Sequence, residues 1–577
     1  MKTPSALALG ALLAASVALA GCADHSLVSP VAPRADAALE DVTDAGPDSG
    51  LYVIEAIETV APMGLRTMSL AAAPQMIRIG VVQSGPTTVT LGGGAEYTVS
   101  DKASGQVLMT GTSGAVTVRL DGAPKSYYRL QVSCLNATTT AQKLAAAQAA
   151  GYVTFTEFVP TANCTRLFLG EFDPPPASNF GPRNTFRLQA IAAGFAPSDA
   201  FWKIVAPASN TQTYTVTRGA SSVVTVNPVV VTASDGLVTI DGVVYRGKGE
   251  ARMNGTGTLA GINELPLEQY LYGVVPRELP PTSLWGHPEA QKTQAVAART
   301  YAMRGLGKRG TDGYDLLATT SDQVYGGYDA EEPVSNAAVD ATAGVVATYQ
   351  GALIDALFSS TAGGHTANSE EAFSSELPYL RGVPDRDLDG QWDNQADKTL
   401  EKFLKNDKPK LLLKEQKGDF EVGFSSYYRW TYEWTMDEMS GLVSTLAGKP
   451  VGRVIAVNIT QRGPSGRALE VQYVTENGEI YTSGKDGSTR AALKYRNAAG
   501  SVVNLPSTRI FIEPTYAQGK SGPVTGYRVY GAGFGHGVGM SQTGAAGMAQ
   551  AGYTYDQILK HYYTGIELTA PQVTIVP

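Results

Sequence analysis

From residue 76 the chain falls into short segments of alternating apolar and polar residues, punctuated by Gly and Asp. Met76-Ile77-Arg78-Ile79-Gly80-Val81-Val82 opens the series, and 87–91, 95–100, 106–109 and 116–120 continue it, with the period and length of strands between turns. The pattern changes near Tyr127. Tyr128-Arg129-Leu130-Gln131-Val132 alternates as a strand, 139–150 is an Ala-rich helix closed by Gly151, and 153–158 and 165–169 are strands again. A second helix over 185–193 and a strand over 201–205 complete a β-α-β-β-α-β order. Strands resume at 223–231 and 238–245. Pro288 suits the first turn of a helix reaching about Arg304. Another helix runs to Ala551 and stops at Gly552, and Thr554-Tyr555-Asp556-Gln557 is a capping box for the last, to Tyr563. The stretch before Pro280 reads as extended, which turns Arg277 and Glu278 to opposite faces. Residues 383–425 are polar and Lys/Asp-rich and read as a surface excursion. The expected class is α+β: a β-rich core with packed helices and an inserted small βαββαβ unit.

The N-terminus adds a destination. Lys2 precedes an apolar stretch, 6–20, too short for a membrane span, and Leu19-Ala20-Gly21-Cys22 matches a bacterial lipobox. Residues 1–21 are expected to be a lipoprotein signal peptide and Cys22 the lipidation site. The Ala, Asp and Pro-rich 22–75 reads as a disordered tether. The protein is then exported and anchored to a membrane through its lipid, in the cell envelope. Ala23 rather than Asp after the Cys points to the outer membrane, facing the periplasm, in a two-membrane cell. In that oxidising setting Cys134 and Cys164 are expected to pair. A net charge of -8 without a basic run excludes nucleic acid as a partner. Five His and three Cys make no zinc or redox motif, and no metal or cofactor is called for.

Three segments carry candidate chemistry. Asn263 to Pro280 contains Val274-Val275-Pro276-Arg277-Glu278, and a carboxyl held there among apolar residues would have the raised pKa of a general acid. On the helix that follows, Gln294, Ala298 and Tyr301 share a face, with Arg299 beside them. Gln323 and Tyr325, then Ser360, Thr361 and His365, offer amides, hydroxyls and an imidazole on Gly-rich turns suited to sugar recognition. Gly531 to Gln542 sets His536 among alternating glycines, followed by Ser541 and Gln542; such a string lets backbone amides approach a ligand, and the sequence places it in one cleft with Glu278. Asp385-Arg386-Asp387-Leu388-Asp389-Gly390 is spaced like the start of a calcium loop, but Ala396 stands where the closing Glu belongs, so it reads as an acidic turn.

Together these segments resemble the SpoIID/LytB family, over about 76–120 and 235–570. The strings Ala295-Val296-Ala297-Ala298-Arg299-Thr300-Tyr301 and Gly535-His536-Gly537-Val538-Gly539-Met540-Ser541-Gln542 carry the likeness most specifically. The domain boundaries follow as 76–120 and 210–570 for the two parts of that domain, and 125–207 for the insert. The insert resembles a SPOR domain through Tyr128-Arg129-Leu130-Gln131-Val132, Ala141-Gln142-Lys143-Leu144 and Arg166-Leu167-Phe168-Leu169-Gly170. Its resemblance implies binding to glycan strands stripped of stem peptides, and brings Cys134 and Cys164 together at the ends of two neighbouring strands. The larger resemblance implies a peptidoglycan lytic transglycosylase acting on denuded glycan, with Glu278 as the acid. It also implies an alternative: a non-catalytic, glycan-binding enhancer of a cell-wall N-acetylmuramoyl-L-alanine amidase. Gln294, Arg299, Tyr301, Gln323, Tyr325, Ser360, Thr361, His365, His536, Ser541 and Gln542 are the expected substrate contacts. Sporulation, cell division and wall remodelling are all occasions the family resemblance allows.

Overall fold

Val, Ile and Leu at alternate positions turn one face of each N-terminal strand into a common core. In this computed structural model the described residues are 51–54 and 75–569, apart from short gaps of which 173–180, 206–211 and 386–419 are the longest. The signal peptide, Cys22, most of the tether and 386–390 of the acidic turn lie outside them.

Two sheets share that core. One runs Ser221–Thr225, Thr213–Arg218, Gly114–Asp121, Thr88–Gly93, Leu237–Ile240, Val243–Arg246; the other centres on Met76–Val82, Leu259–Pro266, Lys248–Met253 and Val229–Ala233. Ile77, Ile79, Val89, Leu91, Val116, Val118, Val229, Val231, Val238 and Ile240 fill the space between them. Two expected strands divide. Residues 223–231 break at Asn227-Pro228, because Pro has no N–H for the ladder and Asn227 instead binds Asp101 through Nδ2. Residues 238–245 form a hairpin, with Asp241 at φ 48° and Gly242 at φ 82°, the left-handed pair that a tight two-residue turn requires.

The Pro288–Arg304 helix joins this core to the next. Ala295, Ala298 and Ala302 pack on the sheets, while Ala290, Val296 and Ala297 pack against the Gln542–Gln550 and Tyr555–Tyr562 helices. A helix buried on both sides needs small residues all round, and this one has them. A third core lies under Met436–Ala447, covered by the Val454–Arg462, Ala468–Thr475 and Ile480–Ser483 strands. Leu51–Ile54, which the sequence assigns to the tether, pairs parallel with Ile480–Ser483. No helix among the described residues is long and apolar enough to cross a membrane.

The inserted unit has its own core of Leu130, Val132, Ala147, Leu167, Leu169, Ala190 and Trp202. Its strands order as Phe201–Val205, Tyr127–Leu135, Cys164–Phe172, Thr154–Val159, each antiparallel to its neighbour, with helices Ala137–Ala149 and Gly181–Ala192. Cys134 and Cys164 are disulfide-bonded across the two middle strands, Cα atoms 5.4 Å apart.

Candidate active site

Leu267, Tyr270, Leu271, Val274 and Val275 recur with helical period, and all are buried, so Leu267–Glu278 is a helix rather than the extended stretch expected. Arg277 and Glu278 diverge all the same, by the turn of a helix: Arg277 is exposed and Glu278, the last helical residue, is 5% exposed. Gly273 lets the next part of the site approach. A Cβ there would meet Tyr325 Cε2 at 2.6 Å and the Gly327 carbonyl oxygen at 2.8 Å. With that space free, Gly326 N–H donates to the Gly273 carbonyl (3.0 Å), and the loop lies on the helix. Val324 N–H then donates to Glu278 Oε1 at 2.7 Å.

From the far end of the glycine string comes Gln542. Its Nε2 donates to the Glu278 carbonyl oxygen at 2.8 Å, a group the helix end leaves open, and to Glu278 Oε2 at 3.3 Å. Gln294 Oε1 lies 3.5 Å from the same nitrogen, and Gln294 Nε2 is buried without a partner. An orphaned buried amide costs about 1–3 kcal/mol. Burial pushes the Glu278 carboxyl up to about 7, against the opposing pull of the Val324 N–H, Gln542 and Arg277. The result is a proton held near neutrality on a carboxyl with both oxygens fixed, which is what a general acid requires.

Residues 255–349, which hold Glu278, the long helix and the 323–325 loop, match the family described as stage II sporulation protein. The amidase enhancer of Bacillus subtilis is 33% identical over 317 residues, 52% of this chain and 40% of the relative. An uncharacterized protein of Brachyspira hyodysenteriae is 30% identical over 312 residues, 54% of this chain and 68% of the relative. The chain belongs to the SpoIID/LytB family. Stage II sporulation protein D of Bacillus subtilis is 27% identical over 325 residues, covering 53% of this chain and 76% of that protein. Residues 367–539 match a domain of unknown function (DUF8618).

In this SpoIID/LytB chain most of the polar residues expected to touch substrate are interior and hydrogen-bond to other groups of the protein. Tyr270 Oη donates to Gln323 Oε1 (3.2 Å) and Gln323 Nε2 to the Ala298 carbonyl (3.3 Å). Tyr325 Oη donates to Asn263 Oδ1 (2.9 Å), and Tyr301 Oη to Asp322 Oδ1 (3.1 Å). Arg299 is fully buried, and its Nε and Nη2 donate to Glu268 at 2.8 and 2.7 Å, so it braces the scaffold and its carboxylate partner is Glu268 rather than Glu278. His365 sets Nδ1 2.7 Å from the Thr366 carbonyl. His536 Nδ1 accepts from Val538 N–H at 3.0 Å and the ring donates to the Phe358 carbonyl, with Phe373 against it at 5.3 Å. Burial takes its pKa down to about 4. A neutral imidazole with both nitrogens on the backbone fastens the glycine string, and the residue stays partly exposed.

A second network forms around Glu421. Its carboxylate accepts from Ala362 N–H (2.6 Å), Ser541 Oγ (2.6 Å) and Thr543 Oγ1 (3.0 Å), while Thr543 N–H donates to the Ser360 carbonyl (3.0 Å). Ser360 and Thr361 hydroxyls lie 3.3 Å apart beside it. Glu421 and Asp385 are both fully buried, which corrects the surface reading of 383–425 at its two ends. The signal was present: Phe420-Glu421-Val422-Gly423-Phe424 is apolar around a single acid, unlike the Lys-rich run before it. Ser541 and Gln542, adjacent in the chain, join this network to Glu278. Among the described residues no group of three His, Cys, Asp or Glu side chains is placed to hold a metal ion.

Proposed function

We propose that this SpoIID/LytB protein cuts denuded peptidoglycan glycan as a lytic transglycosylase, with Glu278 as its single acid/base. The observation that carries the reading is the buried Glu278 carboxyl, raised to about 7 and held at both oxygens by Val324 and Gln542. Protonated, Glu278 donates to the glycosidic oxygen as its bond to C1 of N-acetylmuramic acid breaks. The resulting carboxylate takes the proton of the C6 hydroxyl, whose oxygen closes on C1 to give a 1,6-anhydro end, and no water is consumed. Ordinary glycosidases divide these tasks between two carboxylates. Glu278→Gln keeps the shape and cannot donate the proton, so a loss of about 10²-fold or more in cleavage of denuded strands is expected. Mass spectrometry of the products reads it: full activity in the variant removes the catalytic role, and a reducing end in place of the anhydro end makes the enzyme a hydrolase.

The second reading is an enhancer that grips denuded glycan and stimulates an amidase, favoured by the 33% identity to a protein named for that role. Under it, Glu278→Gln stimulates a partner amidase as well as the wild type does. The SPOR-like insert fits either reading as the module that holds denuded glycan, and lipidation at Cys22 would keep both at the envelope.

A further inference from the structure

Gln294 stands apart from the other buried polar residues of its helix: Gln291, Thr293, Arg299 and Thr300 are all hydrogen-bonded, whereas its own amide nitrogen has no partner. Its neighbours Ala290, Ala295, Val296, Ala297 and Ala298 are buried, small and mostly apolar, and an apolar side chain at 294 would leave no amide nitrogen stranded. What Gln294 supplies is an acceptor 3.5 Å from Gln542 Nε2. Turning its amide over would set one NH₂ group against another, so the orphaned nitrogen is the consequence of aiming the oxygen at Gln542. Gln542 is then held with its own NH₂ toward Glu278, where it spans the carbonyl and Oε2 of that residue.

We propose that Gln542, oriented by Gln294, is a positioning residue for Glu278: a neutral amide relay that fixes the carboxyl and steadies its ionised form. It rests on the reading of Glu278 as the acid/base, and goes beyond it in naming what lets one carboxyl serve twice. An acid in an apolar pocket gives up its proton reluctantly, and the same residue must next exist as a carboxylate long enough to take a proton from the C6 hydroxyl. A hydrogen bond to the ionised form favours it. The two oxygens are held unequally: Oε1 at 2.7 Å by a backbone N–H, Oε2 at 3.3 Å by Gln542. Of the charged and titratable groups, Arg277 and Tyr270 on its own helix act on Glu278, and Tyr270 in turn feels Tyr325 and Asp322 on the loop and Tyr301 on the long helix. The Gln542–Gln550 helix faces it with a neutral amide, which adjusts proton affinity without adding a charge.

The test compares full-length Gln542→Met, Gln542→Glu and Gln294→Met with wild type on denuded strands over pH 4.5–9. Gln542→Met is expected to lower kcat about 10-fold with KM little changed, and to move the alkaline inflection up by roughly one pH unit, as fits the loss of one hydrogen bond to the charged form. Gln542→Glu, which sets a second carboxyl beside the first, moves it further in the same direction. Gln294→Met lowers kcat in the same sense while leaving the melting temperature equal or higher, an outcome a purely structural residue does not give. A wild-type inflection in Gln542→Met, or an effect confined to KM, overturns the proposal. If the wild-type protein cuts nothing, the acid/base reading fails by itself. The Glu278 carboxyl carbon resonance, assigned against Glu278→Gln, must then still titrate about one unit higher in Gln542→Met, and an unmoved titration overturns the positioning role too.

Discussion

Glu278 ties the chemistry to the stability of the fold. The folded protein holds its proton up to about pH 7 because burial disfavours the charge, whereas the unfolded chain releases it near the ordinary 4.5. Stability from this group is therefore complete below about pH 4.5 and lost as pH rises toward 7, with a slope of at most about 1.4 kcal/mol per pH unit. Glu278→Gln has no such slope. Its melting temperature relative to wild type is expected to climb between pH 4.5 and pH 8, as the wild type takes on the cost of a buried charge. His536 has the opposite sign: its stability is present above its ordinary 6.5 and lost as pH falls toward 4. It occurs in both proteins, so the difference curve isolates Glu278, and a flat difference counts against the raised pKa. Arg299 makes a contrasting case. Its guanidinium is completely buried and forked onto Glu268. Glu268→Ala leaves that charge without its counter-ion and is expected to cost about 3 kcal/mol in denaturant unfolding, without shifting the pH inflection of cleavage. A shifted inflection would place Arg299 in the site after all.

At the scale of elements, the glycines at contacts matter more than those in turns. Gly273→Ala pushes a methyl into the Tyr325 ring and the Gly327 carbonyl, which lifts the loop from the helix and draws Val324 N–H off Glu278. A loss of about 1–3 kcal/mol, the usual range for overpacking, should come with a drop in cleavage as large as that from a direct change at the site. Unaltered activity in a folded Gly273→Ala protein would show that the loop does not fix the acid. The elements around this contact were legible to different degrees. Pro288–Arg304 and Thr554 at the last helix carry start signals that act locally, and the structure places both as read. Leu267–Glu278 is a helix where the stretch before Pro280 reads as extended, and Leu267, Tyr270, Leu271, Val274 and Val275 carry the 3.6-residue period that the extended reading leaves out. The Asp241-Gly242 turn, a strong hairpin signal, was hidden inside a run of apolar residues. Polar residues are harder to read for another reason. Gln323, Thr361 and Ser541 look like ligand contacts in sequence, because a buried hydrogen-bonded network uses the same amides and hydroxyls as a sugar site, and only three-dimensional pairing separates the two.

The whole molecule is a sequence of packed cores, and the inserted unit is attached to them by two chain crossings. The strand before it, Gly114–Asp121, and the strand after it, Thr213–Arg218, pair antiparallel with Asp121 opposite Thr213 and Thr117 opposite Thr217. The insert is thus the loop of a hairpin, grown into a small βαββαβ body with its own core and its own disulfide. Ladder, flanking strands and buried Val118 and Val216 all remain if it is removed. Replacing 122–212 by Asn-Gly, the dipeptide that a two-residue hairpin turn favours, should therefore leave a protein that folds. Its thermal unfolding should keep the main transition and lose any transition sensitive to reduction of Cys134–Cys164. The Glu278 site draws on Val324, Gln294 and Gln542, all outside the removed segment, so the pH inflection should be kept as well. If the insert is the part that holds glycan, the shortened protein loses rate on long denuded strands at low concentration, as a rise in KM, and keeps kcat. Calorimetry and steady-state kinetics on the one shortened protein decide the matter. Collapse of the main transition would mean that the hairpin depends on the insert, and a fall in kcat at constant KM would mean that the insert shapes the site itself.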